Sequence, residues 1–176
     1  MLTAEKMSQM ILEIESMNNI GCTFDFKERY DVALPTLNAL SLVTSIRSKI
    51  PACGDHCSRY QDCQWIPIFQ KKKSKSKFKL SKTGEKLAAD LANRSQSKEE
   101  IKDIILGVIS KTIIVDVIQS LLMEHTNLTV ERVVTEMLKQ TKIYLQTIRT
   151  VLKDILDLMA SLELIKFKEG LILSYV

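Results

Sequence analysis

The chain has 176 residues, 45% of them hydrophobic and 26% charged, with five Gly, three Pro and a formal charge of +4. So few Gly and Pro exclude long irregular loops and, with abundant Leu, Ile, Lys and Glu, favour a mainly α fold of one sizeable domain or two small ones. The charge is unevenly placed: residues 1–96 hold 15 Lys/Arg against 10 Asp/Glu, and residues 97–176 hold 10 against 11, so any electrostatic footprint is local.

An amphipathic helix is expected from about Thr3 to Met17, with Met7, Met10, Ile11, Ile14 and Met17 on one face. Its acids Glu5, Glu13 and Glu15 are foreign to a secretory signal. A second helix is expected from Pro35 or Thr36 to Ile50, carrying Leu37, Leu40, Val43 and Ile46. Trp65–Phe69 and Lys77–Leu80 follow as the expected strands of a hairpin around a lysine-rich turn, and Ser81–Ala88 opens a closing helix. The polar stretch Asn93–Ser97 marks a boundary between a unit at 1–95 and one at 97–176. It ends in the capping box Ser97-Lys98-Glu99-Glu100.

The second unit is more regular. A leading helix carries Ile101, Ile104, Ile105 and Val108, and the next carries Ile114, Val117, Ile118, Leu121 and Leu122 and ends near His125. That apolar run is interrupted by Asp116 and Gln119 and is too short to span a bilayer. Thr129 is the expected N-cap of a helix with Val130, Val133, Val134, Met137 and Leu138. A long helix then carries Ile148, Val151, Leu152, Ile155, Leu156 and Met159, and Leu164–Phe167 and Leu171–Tyr175 form strands about Lys168-Glu169-Gly170. No sequence repeat is evident between the halves.

The phrases "LTVERVVTEML" and "YLQTIRTVLKDILDLMASLELI", followed by a short hairpin, resemble the winged-helix superfamily over residues 111–176. Glu163 stands where that family commonly has Gly, a departure confined to the helix C-cap. "FKLSKTGEKLAADL" resembles the stretch after the wing in prokaryotic winged-helix regulators. The resemblance implies two winged-helix-like units. The first is modified by a cysteine-bearing insertion between the recognition helix and the wing.

Cys53, Cys57 and Cys63 form C-x3-C-x5-C, with Cys22 upstream. Four thiolates suit a [4Fe–4S] iron–sulfur cluster or zinc, and iron–sulfur is preferred; buried, unligated thiols are the plainer alternative. The uneven spacing resembles that of WhiB-type regulators and AddB-type nucleases, although Cys53 to Cys57 is one residue longer. Winged helices and an iron–sulfur cluster also occur together in the archaeal transcription factor E β-subunit and its RNA polymerase III counterpart, in the opposite chain order. Such a site is structural or redox-sensing. His56, inside the motif, is taken as a solvated loop residue.

Lys71, Lys72, Lys73, Lys75, Lys77 and Lys79 run without an intervening acid. On a wing they would neutralise phosphates, which fixes position but not base sequence. In the long helix of the second unit, Gln146, Arg149 and Lys153 are the candidate nucleic-acid contacts, with Gln and Arg suited to base edges. No G-x-S-x-G, G-x-x-x-x-G-K-[ST] or G-x-G-x-x-G motif occurs, so neither an enzyme nor a small-molecule substrate is expected. The expectation is an intracellular, cytoplasmic (if prokaryotic, nucleoid-associated) protein that binds double-stranded DNA in transcription or its regulation. The alternative is an adaptor subunit of a transcription, replication or repair complex with a purely structural metal. A homodimer through the apolar face from Ile101 to Val108 is compatible with either, and no membrane contact is expected.

Overall fold

The computed structural model describes residues 1–17, 20–22, 30, 34–45, 77–94, 97–125, 128–140, 145–168 and 170–174. Helix α1 (Ala4–Ser16) starts where the Thr3 hydroxyl accepts the Lys6 N–H at 3.2 Å, and it buries Met7, Met10, Ile11 and Ile14 at helical spacing. Strand β1 (Ile20–Cys22), helix α2 (Leu34–Ala39), strand β2 (Val43–Ser45) and strand β3 (Lys77–Leu80) follow. Helix α3 (Lys82–Arg94) closes this first unit. β3 lies in the middle of the sheet, with β1 and β2 antiparallel on either side.

Two expectations fail here. The helix expected to run to Ile50 ends at Ala39, because Ser41 enters the left-handed region at φ 58°. The Ser41 and Leu42 N–H groups bond back to the Asn38 and Leu37 carbonyls at 2.9 Å, which is a Schellman closure. β-Branched Val43 and Thr44 then enter a strand. Helical spacing misled because Leu37, Leu40 and Val43 are all buried, although a turn separates the third from the other two. The expected hairpin also changes partners. Both edges of Lys77–Leu80 are taken by β1 and β2, so that strand has no edge left for Trp65–Phe69, which lie outside the described residues. The cysteine-bearing segment follows β2 and precedes β3 in the chain and lies outside the described residues.

Gly84 explains the "TGEK" phrase. A Cβ there would sit 2.2 Å from the Leu42 carbonyl oxygen, so only glycine lets α3 pack this close to the start of β2. The Ser81 hydroxyl caps α3 by accepting the Gly84 N–H at 3.0 Å.

The second unit begins with α4 (Lys98–Ile109), whose capping box is formed as expected: Ser97 and Glu100 exchange side-chain-to-backbone bonds at 3.2 and 2.9 Å. Then come α5 (Ile113–Glu124), β4 (Leu128–Thr129), α6 (Val130–Gln140), α7 (Leu145–Ser161), β5 (Ile165–Lys168) and β6 (Leu171–Ser174). Thr129 caps α6 through the Arg132 N–H at 3.3 Å. The sheet again has its last strand in the middle, in the order β4-β6-β5. The protein is thus mainly α with two small antiparallel sheets; among the described residues the first runs in the order α1-β1-α2-β2-β3 and the second in the order α5-β4-α6-α7-β5-β6.

The register also reveals a repeat that the sequence hides. Val43 pairs with Leu80 as Ile165 pairs with Ser174, which makes Phe78 equivalent to Ile172, and both are fully buried. Leu40-Ser41-Leu42-Val43 then matches Leu162-Glu163-Leu164-Ile165. Glu163, like Ser41, is left-handed, at φ 59°, and the Glu163 and Leu164 N–H groups close onto Ala160 and Met159 at 3.1 and 3.0 Å.

One hydrophobic core runs through both units, across the expected boundary near residue 96. α1 packs on α3 and α4, and α2 packs on α7. Ile105 and Ile109 are buried, and Ile101, Ile104 and Val108 pack partly buried against the core. The face invoked for a homodimer is thus packed in part against the chain's own core, with Ile101, Ile104 and Val108 half-buried. Among the described residues no single helix is long and apolar enough to cross a membrane.

Candidate nucleic-acid interface and cysteine cluster

The register of the first sheet places two of the expected site residues, Cys22 and Lys77. Cys22 is the last residue of β1 and lies opposite Lys77, the first of β3. Ser45, the last of β2, lies opposite Phe78. Residues 46–76 therefore leave and return at the same end of the sheet, beside Cys22. That segment carries Cys53, Cys57 and Cys63 together with Lys71, Lys72, Lys73 and Lys75, all outside the described residues. Among the described residues, no group of three or more His, Cys, Asp or Glu is placed to hold a metal ion.

Lys79 is exposed on the middle strand, between buried Phe78 and Leu80, and lies opposite Ile20 and Thr44. Lys82 and Lys86 were missed by sequence reasoning. They are exposed at i, i+4 on α3, opposite its buried side of Leu87, Ala88 and Leu91. The signal was the lysine series itself, which continues past the strand with Glu85 as its first acid.

The reader positions of the second unit are less open than their sequence suggests. Gln146, Arg149 and Lys153 are all exposed on α7. One Arg149 nitrogen, however, donates to both carboxylate oxygens of Glu131 on α6, at 3.1 and 3.2 Å. Asp154, beside Lys153, accepts a 2.6 Å bond from the Thr36 hydroxyl on α2, and Thr36 is fully buried. A further link joins the units: the Ala4 N–H donates to the Ser161 hydroxyl at 3.1 Å; within the second unit, Lys102 meets Glu163 at 2.6 Å.

A groove of about 400 Å³ lies between α5 and α6, lined by Asp116, Ser120, Glu124, Arg132, Glu136 and Lys139. Glu136 is held below the ordinary carboxylate range by hydrogen bonds from Lys139 and then Gln140. Met123 on α5 is 88% exposed. His125 caps α5, with Nε2 3.8 Å from a Glu124 carboxylate oxygen. His56 lies outside the described residues.

Comparison with known proteins finds no matching family model, no matching curated protein and no matching solved structure.

Proposed function

We propose that the protein binds double-stranded DNA through the connection between β2 and β3, in a transcription-related or regulatory role, with a four-thiolate metal centre at the base of that connection. One observation carries this reading: the register sets Cys22 opposite Lys77, at the sheet end where the cysteine-bearing and lysine-bearing segment leaves and returns. Cys22, Cys53, Cys57 and Cys63 would hold the metal, as an iron–sulfur cluster in the first instance and zinc in the second. When bound, the group would cross-link the segment to β1 and, as an iron–sulfur cluster, respond to oxidants. Lys71, Lys72, Lys73, Lys75, Lys77 and Lys79 would neutralise phosphates, each releasing condensed counterions.

The test has two arms. Anaerobically purified protein is expected to carry stoichiometric iron and sulfide with a thiolate-to-iron absorption band, and Cys22→Ser is expected to lose it. Stoichiometric zinc would instead make the centre structural, and metal-free protein would overturn it. Affinity for duplex DNA is expected to fall steeply with salt, and neutralising Lys71, Lys72 and Lys73 to Gln is expected to flatten the log–log slope by about 2.7. A flat slope in the unmodified protein would overturn DNA binding.

The α5–α6 groove favours the adaptor as the second reading, in which the second unit docks a protein partner and the metal is purely structural.

A further inference from the structure

We infer that Glu131 is a positioning residue that makes Arg149 of α7 a reader of guanine instead of a phosphate contact. This inference rests on the proposed DNA binding and adds to it a contact on the second unit. Gln146, Arg149, Thr150 and Lys153 recur at i, i+3, i+4 and i+7 along α7 and are all exposed, opposite buried Ile148, Val151, Leu152 and Ile155. From Gln146 to Lys153 the helix rises roughly 11 Å, close to the roughly 12 Å width of a major groove. The bond from Thr36 of α2 reaches Asp154, where this stripe ends. Arg149 stands in the second turn of α7.

The side chains of the stripe are not equivalent. The Thr150 hydroxyl donates to the Gln146 carbonyl at 3.1 Å, and Lys153 lies beside Asp154. Arg149 is held from α6: its Nη2 donates to both carboxylate oxygens of Glu131, at 3.1 and 3.2 Å. Its Nε and Nη1 donate to no other group among the described residues. Glu131 stands in the first turn of α6, where the positive end of the helix favours a carboxylate. Both side chains are more than half exposed, so the pair adds little to folding. Its consequence lies in what the guanidinium can still do. Facing a carboxylate, it has little net charge to offer a phosphate, which would meet the Glu131 anion as well. Guanine N7 and O6 are neutral acceptors set for two N–H donors of one planar fork, and a fork already fixed in direction loses less freedom on meeting them.

The experiment is selection from a random duplex library with the anaerobically purified full chain, followed by salt titrations on the recovered site. The site is expected to contain a fixed G·C pair whose replacement by A·T weakens binding about 5- to 150-fold. Arg149→Ala is expected to erase the preference at one such pair without changing the log–log salt slope. Glu131→Gln is expected to blunt the same preference and to steepen the slope by up to about 0.9, because the freed guanidinium turns to phosphate. Both variants are expected to unfold at the parent's midpoint. A slope lowered by about 0.9 in Arg149→Ala would make that residue a phosphate contact and overturn the inference. An undiminished G·C preference in Glu131→Gln, or a library that yields no fixed G·C pair, would overturn it while leaving DNA binding intact. Failure of the parent to bind any duplex would instead overturn the proposed function, and this inference with it.

Discussion

The two sheet-bearing units share strand order, register and a Leu-X-Leu closure, yet they differ in the connection between their last two strands and in the helix before it. Residues 46–76 join β2 to β3, whereas residues 169–170 suffice between β5 and β6. The helix before the second strand has six residues in the first unit and 17 in the second. One unit pairs a long connection with a short helix, and the other a short connection with a long helix. Each also completes the other, because α2 is covered by α7. The comparison teaches that a shared fold assigns no shared role: the charge and thiols lie in one unit and the longer, more regular helix in the other.

The largest expected effect tests whether the units are one cooperative body. Phe78 and Ile172 occupy equivalent, fully buried positions on the two middle strands. Phe78→Ala is expected to cost about 3–5 kcal/mol and Ile172→Ala about 2–5 kcal/mol. In urea each variant is expected to unfold in one transition, because the core is continuous. Two separate transitions would divide the molecule into independent domains.

Next in size is Gly84→Ala. The added Cβ meets a backbone carbonyl, not a flexible side chain, so α3 must shift off β2. The expected loss is about 2–3 kcal/mol by chemical denaturation. Gly107, exposed on α4 with open space around its Cβ position, is the control: alanine there is expected to stabilise by roughly 1 kcal/mol.

Thr36→Val probes the contact by which one unit covers the other's helix. It removes a buried hydroxyl bonded to a carboxylate at nearly constant volume, and a loss of about 1.5–3 kcal/mol is expected. A double-mutant cycle with Asp154→Ala is expected to show coupling; strict additivity would mean that the bond contributes nothing.

The smallest effect concerns the exposed Lys102–Glu163 pair. The hydrogen bond from Lys102 holds the Glu163 carboxyl below its ordinary value of 4.5, and the same bond raises the Lys102 ammonium above 10.5. A depressed carboxyl pKa favours the folded state above the unfolded value, and that contribution fades as pH falls through the folded value. A raised lysine pKa contributes below the unfolded value and is lost as pH rises through the folded one. The melting temperature of Glu163→Gln is expected to lie slightly below that of the parent at neutral pH, with the gap closing in acid. A gap that does not change with pH would rule the pair out as its cause.

Much of the second unit was legible in the sequence because its helices are long enough for period and caps to agree: Ser97–Glu100 and Thr129 both cap as expected. In the first unit, three buried residues at helical spacing, Leu37, Leu40 and Val43, straddle a turn at Ser41 that no glycine announces. Glu163 hides the matching turn in the same way, so the internal repeat surfaces only in the register. The candidate site was legible as residue types, since a lysine run and a cysteine spacing need no fold to be noticed. Its placement depended on which strands flank β3, and strand pairing over long sequence separations leaves little local trace.

The enlarged connection between β2 and β3 also bears on the order in which the chain assembles. Closing residues 46–76 instead of 169–170 adds on the order of 2 kcal/mol of chain entropy before the first sheet can pair. Local contacts form faster than distant ones, so the expected sequence of events is the C-terminal hairpin first, with α7 then serving as the surface on which α2 is laid down. A thiolate-bound metal that tethers the connection at Cys22 would shorten the open loop. It would act on the rate of folding as well as on the finished structure.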